Sequence, residues 1–450
     1  MHSFAATMVL LRRELSIALR ARLTWLQAAL AALLIGHGFV LAIDIYSAGS
    51  RSALGNGLMA REFDPLLGIV RPTLGGLYLA VSLLGPLAAA RPLAVEKERQ
   101  TWTMLLLQTG SPLRVILAKF AAASTAVAVQ VAAPLALLAS WVVLGGHLAL
   151  GETAVAAFGQ GLYLLLVAAI ATAAAAWTAS VAQAATATLV VIAASWAIDA
   201  AEGFSALAWL GRALAWSVTT HLAPTERGIL VGGACAWLLI ATLGAIILAY
   251  IGARLDVARR WRIAGGAAVF ATTLAACAAV VQFRRAVDVT ELQRRSLPPA
   301  AVAGLRDLPG TISLEVYLDR DDARRQQLEA DVITKLRLAR PDALVMTPED
   351  DRATPVEGAR EEGYGRIIVR AGGGERFTYS GSRKEIVTLL FEAAGRPLPD
   401  WSAPEYPGYP LVVEGGRRTL TAILAYGVIP ATLLVIGMLA RPTSLRRKRQ

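Results

Sequence analysis

Long apolar runs separated by short polar interruptions occupy most of the chain. A helix rises ~1.5 Å per residue, so roughly 20 apolar residues cross the ~30 Å hydrocarbon layer of a bilayer. Runs of this kind lie near residues 24–46, 72–90, 121–147, 155–180, 184–200, 229–250, 264–282 and 419–440. The 184–200 run is the shortest and follows its predecessor after a tight connection. The pattern predicts a polytopic α-helical membrane protein with eight transmembrane helices, which places both termini on one side.

Between the seventh and eighth runs the periodicity changes. "DVTELQRRSLPP" leads in as a surface segment. "TISLEVYLD" alternates Ile312, Leu314, Val316 and Leu318 with polar or aromatic neighbours, which predicts a strand. Leu328, Val332 and Leu336 at i,i+4 steps predict a helix over 322–340, closed by Pro341. "ALVMT" reads as a second strand, and "GRIIVRAGGGERFTYS" as a hairpin turning through 372–374. Ser382 and Glu385 form a capping box ahead of "IVTLLFEAA", and Gly395 can end that helix. This order predicts a small α/β domain of about 110 residues, compatible with a parallel pair joined by a crossover helix; the strand order is open. Five prolines within 397–410 predict a stiff segment leading to the last span. Its Trp401, Tyr406 and Tyr409 either bind an outer partner or cover their own domain.

Charge decides the orientation. The net charge is +11, yet residues 284–418 hold 22 acidic and 21 basic side chains and are nearly neutral. The excess stands beside the apolar runs, at Arg12, Arg13, Arg20 and Arg22, at Arg91, Lys97 and Arg99, at Arg254, Arg259, Arg260 and Arg262, and in "RRKR" at 446–449. Such placement writes membrane orientation, with the basic side cytoplasmic, and excludes a nucleic-acid groove. Both termini are then cytoplasmic and 284–418 is extracytoplasmic. The first twenty residues are amphipathic and charged, which does not fit a cleaved signal. Cys235 and Cys277 fall within apolar runs and read as small packing residues.

Candidate chemistry is sparse. Alanine-rich stretches such as "AAIATAAAAWTAS" let helices approach closely, either for static packing or for sliding. His37 is the one ionisable group at depth in a span, and it reads as a neutral ring bonded to a neighbouring helix, since no carboxylate or second histidine accompanies it. Asp44 and Asp199 sit near the ends of their spans, within reach of water. Phe204, Trp209, Arg212 and Trp216 suit an interfacial helix, and His221 reads as a solvated interface residue. The acidic run 349–351 lacks calcium-loop spacing, and Asp319, Asp321 and Asp322 have arginines beside them, so both read as surface. Ser380 and Ser382 have no histidine in their domain, which leaves no nucleophile–base set and predicts no enzyme activity or bound cofactor.

One interruption stands out. "EKERQTWTMLLLQTGSP", over 96–112, lies on the cytoplasmic side with a charged start, a leucine-rich segment and a Gly-Ser-Pro break. Ser111 can cap a new helix whose first residue is Pro112, where a missing N–H costs nothing. The spacing predicts a short helix, a sharp break, and a second helix running past Lys119 into the third span. That elbow is either a docking element for a soluble partner or a solvated loop with an interfacial leucine patch.

Glu96, Glu98, "TWTMLLLQTGSP" and Lys119 resemble the signature after the second span of the ABC-2 type permeases. There, two acidic residues precede a Thr-containing turn, a leucine run, a Ser-Pro and a downstream lysine. Gln100–Thr101 stands here where a Gly-Thr pair is common. "ARPLA" from Ala90 and "SVTTHLAPTERG" before the sixth span also fit. The resemblance implies a six-helix core, an N-terminal helix lying along the inner leaflet on Phe4, Met8, Leu11 and Leu15, and a bacterial inner-membrane location. It also implies that the elbow touches a separate ATPase subunit through Glu96, Glu98, Arg99, Thr101, Trp102, Leu105, Leu106, Ser111 and Pro112. The chain itself carries no G-x-x-x-x-G-K-[S/T] loop, so ATP and Mg would belong to that partner.

The region from "DVTE" through "TISLEVYLD", "DDARRQQLEADVITKLRLARPD", "EGYGRIIV" and "SRKEIVTLLFEAAG" resembles a shortened form of the outer part of gliding-motility-type auxiliary (GldG-like) proteins. These patterns divide the chain into an interface helix (1–22), a permease-like core (23–250), a linker with the seventh helix (251–283), the outer domain (284–418), the eighth helix (419–440) and a basic tail (441–450). The implied function is the permease subunit of an ATP-driven exporter, with two ATPase copies, a second permease subunit and an envelope or periplasmic partner. The alternative is a scaffold or sensor that binds an envelope protein through 284–418.

Overall fold

The computed structural model describes residues 2–201, 213, 215–283, 285–318, 322–346, 364–399 and 406–440. Phe204, Trp209, Arg212, Asp319, Asp321, the 349–351 run, Trp401 and the basic tail lie outside the described residues, as does the side chain of Phe4.

Eight described helices are long and apolar enough to cross a membrane. They are span 1 (Arg22–Ala53), span 2 (Leu66–Glu98), span 3 (Pro112–Val143), span 4 (Leu150–Trp177), span 5 (Val181–Ala200), span 6 (Gly232–Ala253), span 7 (Arg259–Val280) and span 8 (Gly415–Leu439). The chain is a multi-pass, mostly α-helical membrane protein with a small α/β domain inserted between spans 7 and 8. Two compact units result: residues 1–283 with 407–450, and residues 284–406.

In the membrane unit, small residues set the packing. Ala28, Ala31, Ala32, Ile35, Phe39, Ala42 and Ile43 recur at helical spacing along one buried face of span 1. Span 8 returns to that helix so closely that a Cβ at Gly36 would stand 2.9 Å from the Ala425 carbonyl oxygen. A Cβ at Gly437 would stand 2.6 Å from the Cβ of Trp25. A π turn at Leu424–Val428 carries Tyr426, whose hydroxyl lies 2.9 Å from His37 Nδ1. His37 is thus tied to a neighbouring helix. Cys235 and Cys277 are free thiols, both buried.

The segment from Pro407 to span 8 is fastened to the far end of span 1. Val413 N donates to Ser47 Oγ at 2.8 Å, Leu411 N donates to Ser50 Oγ at 3.0 Å, and Arg418 pairs with Asp44 at 3.4 Å. Asp44, expected to reach water, therefore also has an arginine partner.

The other unit is built on a four-stranded mixed sheet. Ser313–Val316 pairs parallel with Leu344–Met346, and the connection between them is the helical stretch 323–339. On its other edge Ser313–Val316 pairs antiparallel with Ile367–Ala371, which forms a hairpin with Gly374–Thr378. Gly372 and Gly373 have φ of +60° and +87°, the left-handed pair that a two-residue turn needs. Leu314, Val316, Ile367 and Val369 bury one sheet face against Leu328, Val332, Leu336, Ile386 and Leu390.

Two local expectations fail here. The lead-in read as surface puts Leu297 into the core, followed by a helix, Pro299–Arg306, whose Ala301 and Leu305 are buried. Ser382 begins the last helix of this domain without a side-chain cap bond; its N–H donates to Ser380 Oγ, and Glu385 accepts from Thr378 Oγ1, so the capping box does not form.

Candidate functional site

Span 2 ends at Glu98, and the chain then turns through Gln100, whose φ of +58° is left-handed. Thr101 N bonds Glu96 O at 2.9 Å and closes the turn. The elbow helix, Trp102–Thr109, follows and ends at Gly110, φ +62°, whose N–H bonds Leu106 O. Pro112 opens span 3. Ser111 is extended, as a cap residue should be, but makes no side-chain cap bond, in contrast to the sequence expectation.

Of the four charges before the turn, Glu96, Lys97 and Glu98 each bond a different element, although Glu98 stays exposed. Glu96 Oε1 lies 3.1 Å from Lys119 Nζ in span 3, and its other oxygen accepts from Thr101 Oγ1. Lys119 is only 2% exposed and lies 2.8 Å from Glu14 of the amphipathic helix His2–Arg20. One buried ammonium therefore joins the N-terminal helix to the ends of spans 2 and 3. Such a cluster is retained only with close partners, because an unpaired charge is costly away from water.

Lys97 Nζ donates to the carbonyls of Ala175 and Ala176, at 3.1 and 2.9 Å, and to that of Thr178. These carbonyls close the C-terminus of span 4, where a helix leaves acceptors unused and its dipole is negative. Glu98 Oε1 accepts from Val181 N at 2.7 Å, at the opposite, positive start of span 5. Two adjacent residues thus cap both sides of the tight 4–5 connection.

Elsewhere on the elbow, Trp102 and Leu105 are buried and Leu106 is half-buried, so these three are packing residues. Arg99 and Thr101 are exposed. Leu107, part of the leucine run read from the sequence as apolar contact area, is 80% exposed, and with Met104, 61% exposed, it forms an apolar outer edge. In the N-terminal helix, Leu10, Glu14 and Ala18 are buried. Met8, Leu11 and Leu15, expected to face lipid, are exposed or half-buried.

At the other membrane face, His221 is corrected from a solvated residue to a buried one. It stacks on Trp237 with centroids 4.4 Å apart, and its Nε2 lies 2.9 Å from the Ala215 carbonyl oxygen. The helix carrying it, Val218–Glu226, also holds Glu226 3.3 Å from Arg71 of span 2. A polar aromatic group missed in the sequence joins spans 2, 4 and 5. In it Trp196 Nε1 donates to the Tyr78 hydroxyl at 2.7 Å, and the rings of Tyr78 and Tyr163 are 4.6 Å apart. Only their three-dimensional convergence marks them.

Of the outer aromatics, Tyr409 stacks on His147 with centroids 3.7 Å apart, and its N–H bonds Phe63 O. Tyr406 lies under the Arg294 guanidinium, 4.6 Å from its ring centroid. Both make contacts inside the chain. Compared with known proteins, the chain matches no family model, no curated protein and no solved structure.

Proposed function

We propose that this chain is the membrane subunit of an ATP-driven exporter and that its elbow docks against a separate ATPase subunit. The observation that carries this reading is the pairing of an apolar outer edge, Met104 and Leu107, with a base at the end of span 2 that is wired to four other helices. A push on the elbow helix moves Glu96, Lys97 and Glu98, and with them the ends of spans 3, 4 and 5 and the N-terminal helix. Met104 and Leu107 are the docking positions in this reading, whereas Glu96 and Glu98 position the elbow. Two ATPase copies and a second permease subunit complete the assembly, in the bacterial inner membrane. The elbow then faces the cytoplasm, and the inserted domain faces the envelope.

The test is purification of the full chain in gentle detergent, with identification of the subunits that accompany it. A nucleotide-hydrolysing protein is expected, and Leu107→Glu should release it while the variant still folds. Labelling that reached residues 96–112 only from outside an intact cell would end this reading.

A scaffold or sensor is the second reading. It is favoured by a cavity of about 430 Å³ in the inserted domain, edged by Arg324, Tyr379 and Arg383. It predicts an envelope protein bound through this domain whether or not ATP is turned over.

A further inference from the structure

A cavity of about 350 Å³ opens beside the buried Lys119 cluster, between the N-terminal helix and the ends of spans 2 and 3. Arg13, Arg91 and Arg99 stand on its wall. None of the three forms an ion pair among the described residues, and the two carboxylates on the cavity wall, Glu14 and Glu96, each bond Lys119 through one oxygen. The floor is apolar, with Ile17, Ala88 and Ala126. Ala88 lies eight residues before Glu96 and Ala126 seven after Lys119, so the floor is roughly 10–12 Å deeper along the helices than the charged mouth. Glu14, on the same wall and 2% exposed, leaves Oε1 with no hydrogen-bond partner.

We propose that this cavity holds the headgroup of an anionic phospholipid whose phosphate is esterified to a hydroxyl-bearing alcohol. Three guanidiniums that form no ion pair among the described residues match a phosphate. A hydroxyl supplies the donor that Glu14 Oε1 lacks, and the first methylenes of the lipid fill the alanine floor. A soluble phosphate would satisfy the mouth but leave the apolar floor bare. The lipid would brace the N-terminal helix against the elbow from its base, and the assignment does not depend on any ATPase partner.

The full chain, purified without partners, is placed in nanodiscs of phosphatidylglycerol or of phosphatidylcholine. Hydrogen exchange is followed over residues 10–24 and 88–101, and retained lipid is counted by native mass spectrometry. Phosphatidylglycerol should slow exchange in both segments and stay bound; phosphatidylcholine should do neither. An arginine near an anionic headgroup layer contributes about fivefold, so R13Q/R91Q/R99Q together should weaken retention about a hundredfold. Arg260→Gln, at the start of span 7, should retain lipid like the parent. Equal retention of the two lipids, or undiminished retention by the triple variant, overturns the proposal. So does equal protection by millimolar inorganic phosphate, which would make the cavity a soluble-anion site. If the triple variant fails to fold, the two-lipid comparison on the parent chain decides.

Discussion

Lys97 and Glu98 are consecutive residues, yet they serve opposite poles of two different helices. The lysine satisfies carbonyls at the end of span 4, and the glutamate receives the first amide of span 5. The last turn of span 2 therefore works as a clasp on a connection only three residues long, 178–180.

Removing the lysine should loosen that clasp. Lys97→Met leaves several carbonyls without a donor, at a cost of about 1–3 kcal/mol. Glu98→Gln keeps an acceptor at the exposed end and should cost less. Thermal unfolding of the two variants in detergent should rank them in that order.

Lys119→Met strands a buried carboxylate at Glu14, and breaking such a cluster costs about 3–5 kcal/mol. Adding Glu14→Gln removes the stranded charge and should recover part of the loss. A double-mutant cycle on unfolding free energy measures the coupling, and strict additivity would contradict the Glu14–Lys119 pairing.

Gln100 holds a left-handed conformation that suits glycine. Gln100→Gly should raise stability by about 0.5–1 kcal/mol, the strain relieved less the added freedom of the unfolded chain. A drop in melting temperature would show that the Gln100 side chain matters more than its backbone.

Gly437→Val should drive spans 1 and 8 apart, since even a Cβ meets Trp25. Overpacking of this kind costs about 1–3 kcal/mol. Crosslinking between cysteines placed on the two helices should fall with it.

In the inserted domain, Arg324 and Tyr364 hold the Asp322 carboxyl down from 3.8 to about 2. A depressed carboxylate contributes stability above its ordinary value and loses it as pH falls through the folded value. Protection of the Ser313–Val316 strand against hydrogen exchange should therefore weaken between about pH 4 and pH 2. Asp322→Asn should remove this acid limb while leaving the rest of the profile in place.

The spans were legible because a crossing must be a long apolar run, and the elbow because Gly110, Ser111 and Pro112 punctuate the chain. The destinations of Glu96, Lys97 and Glu98 were not legible. Their partners lie in elements 23 to 83 positions away, and charge beside a span looks the same whether it faces solvent or caps another helix. His221 was misread for a related reason, since its burial depends on Trp237 of span 6, which local polarity does not report.

The clasp at the end of span 2 also gives order to composition. Exchanging the two residues, K97E with E98K, preserves every count and the net charge. It sets an anion against the negative end of span 4 and a cation against the positive start of span 5. The pair is thus a registration mark: lysine before glutamate fixes which way the helix end is turned, and a single-residue slip or a mirrored pair would unlatch both neighbours together.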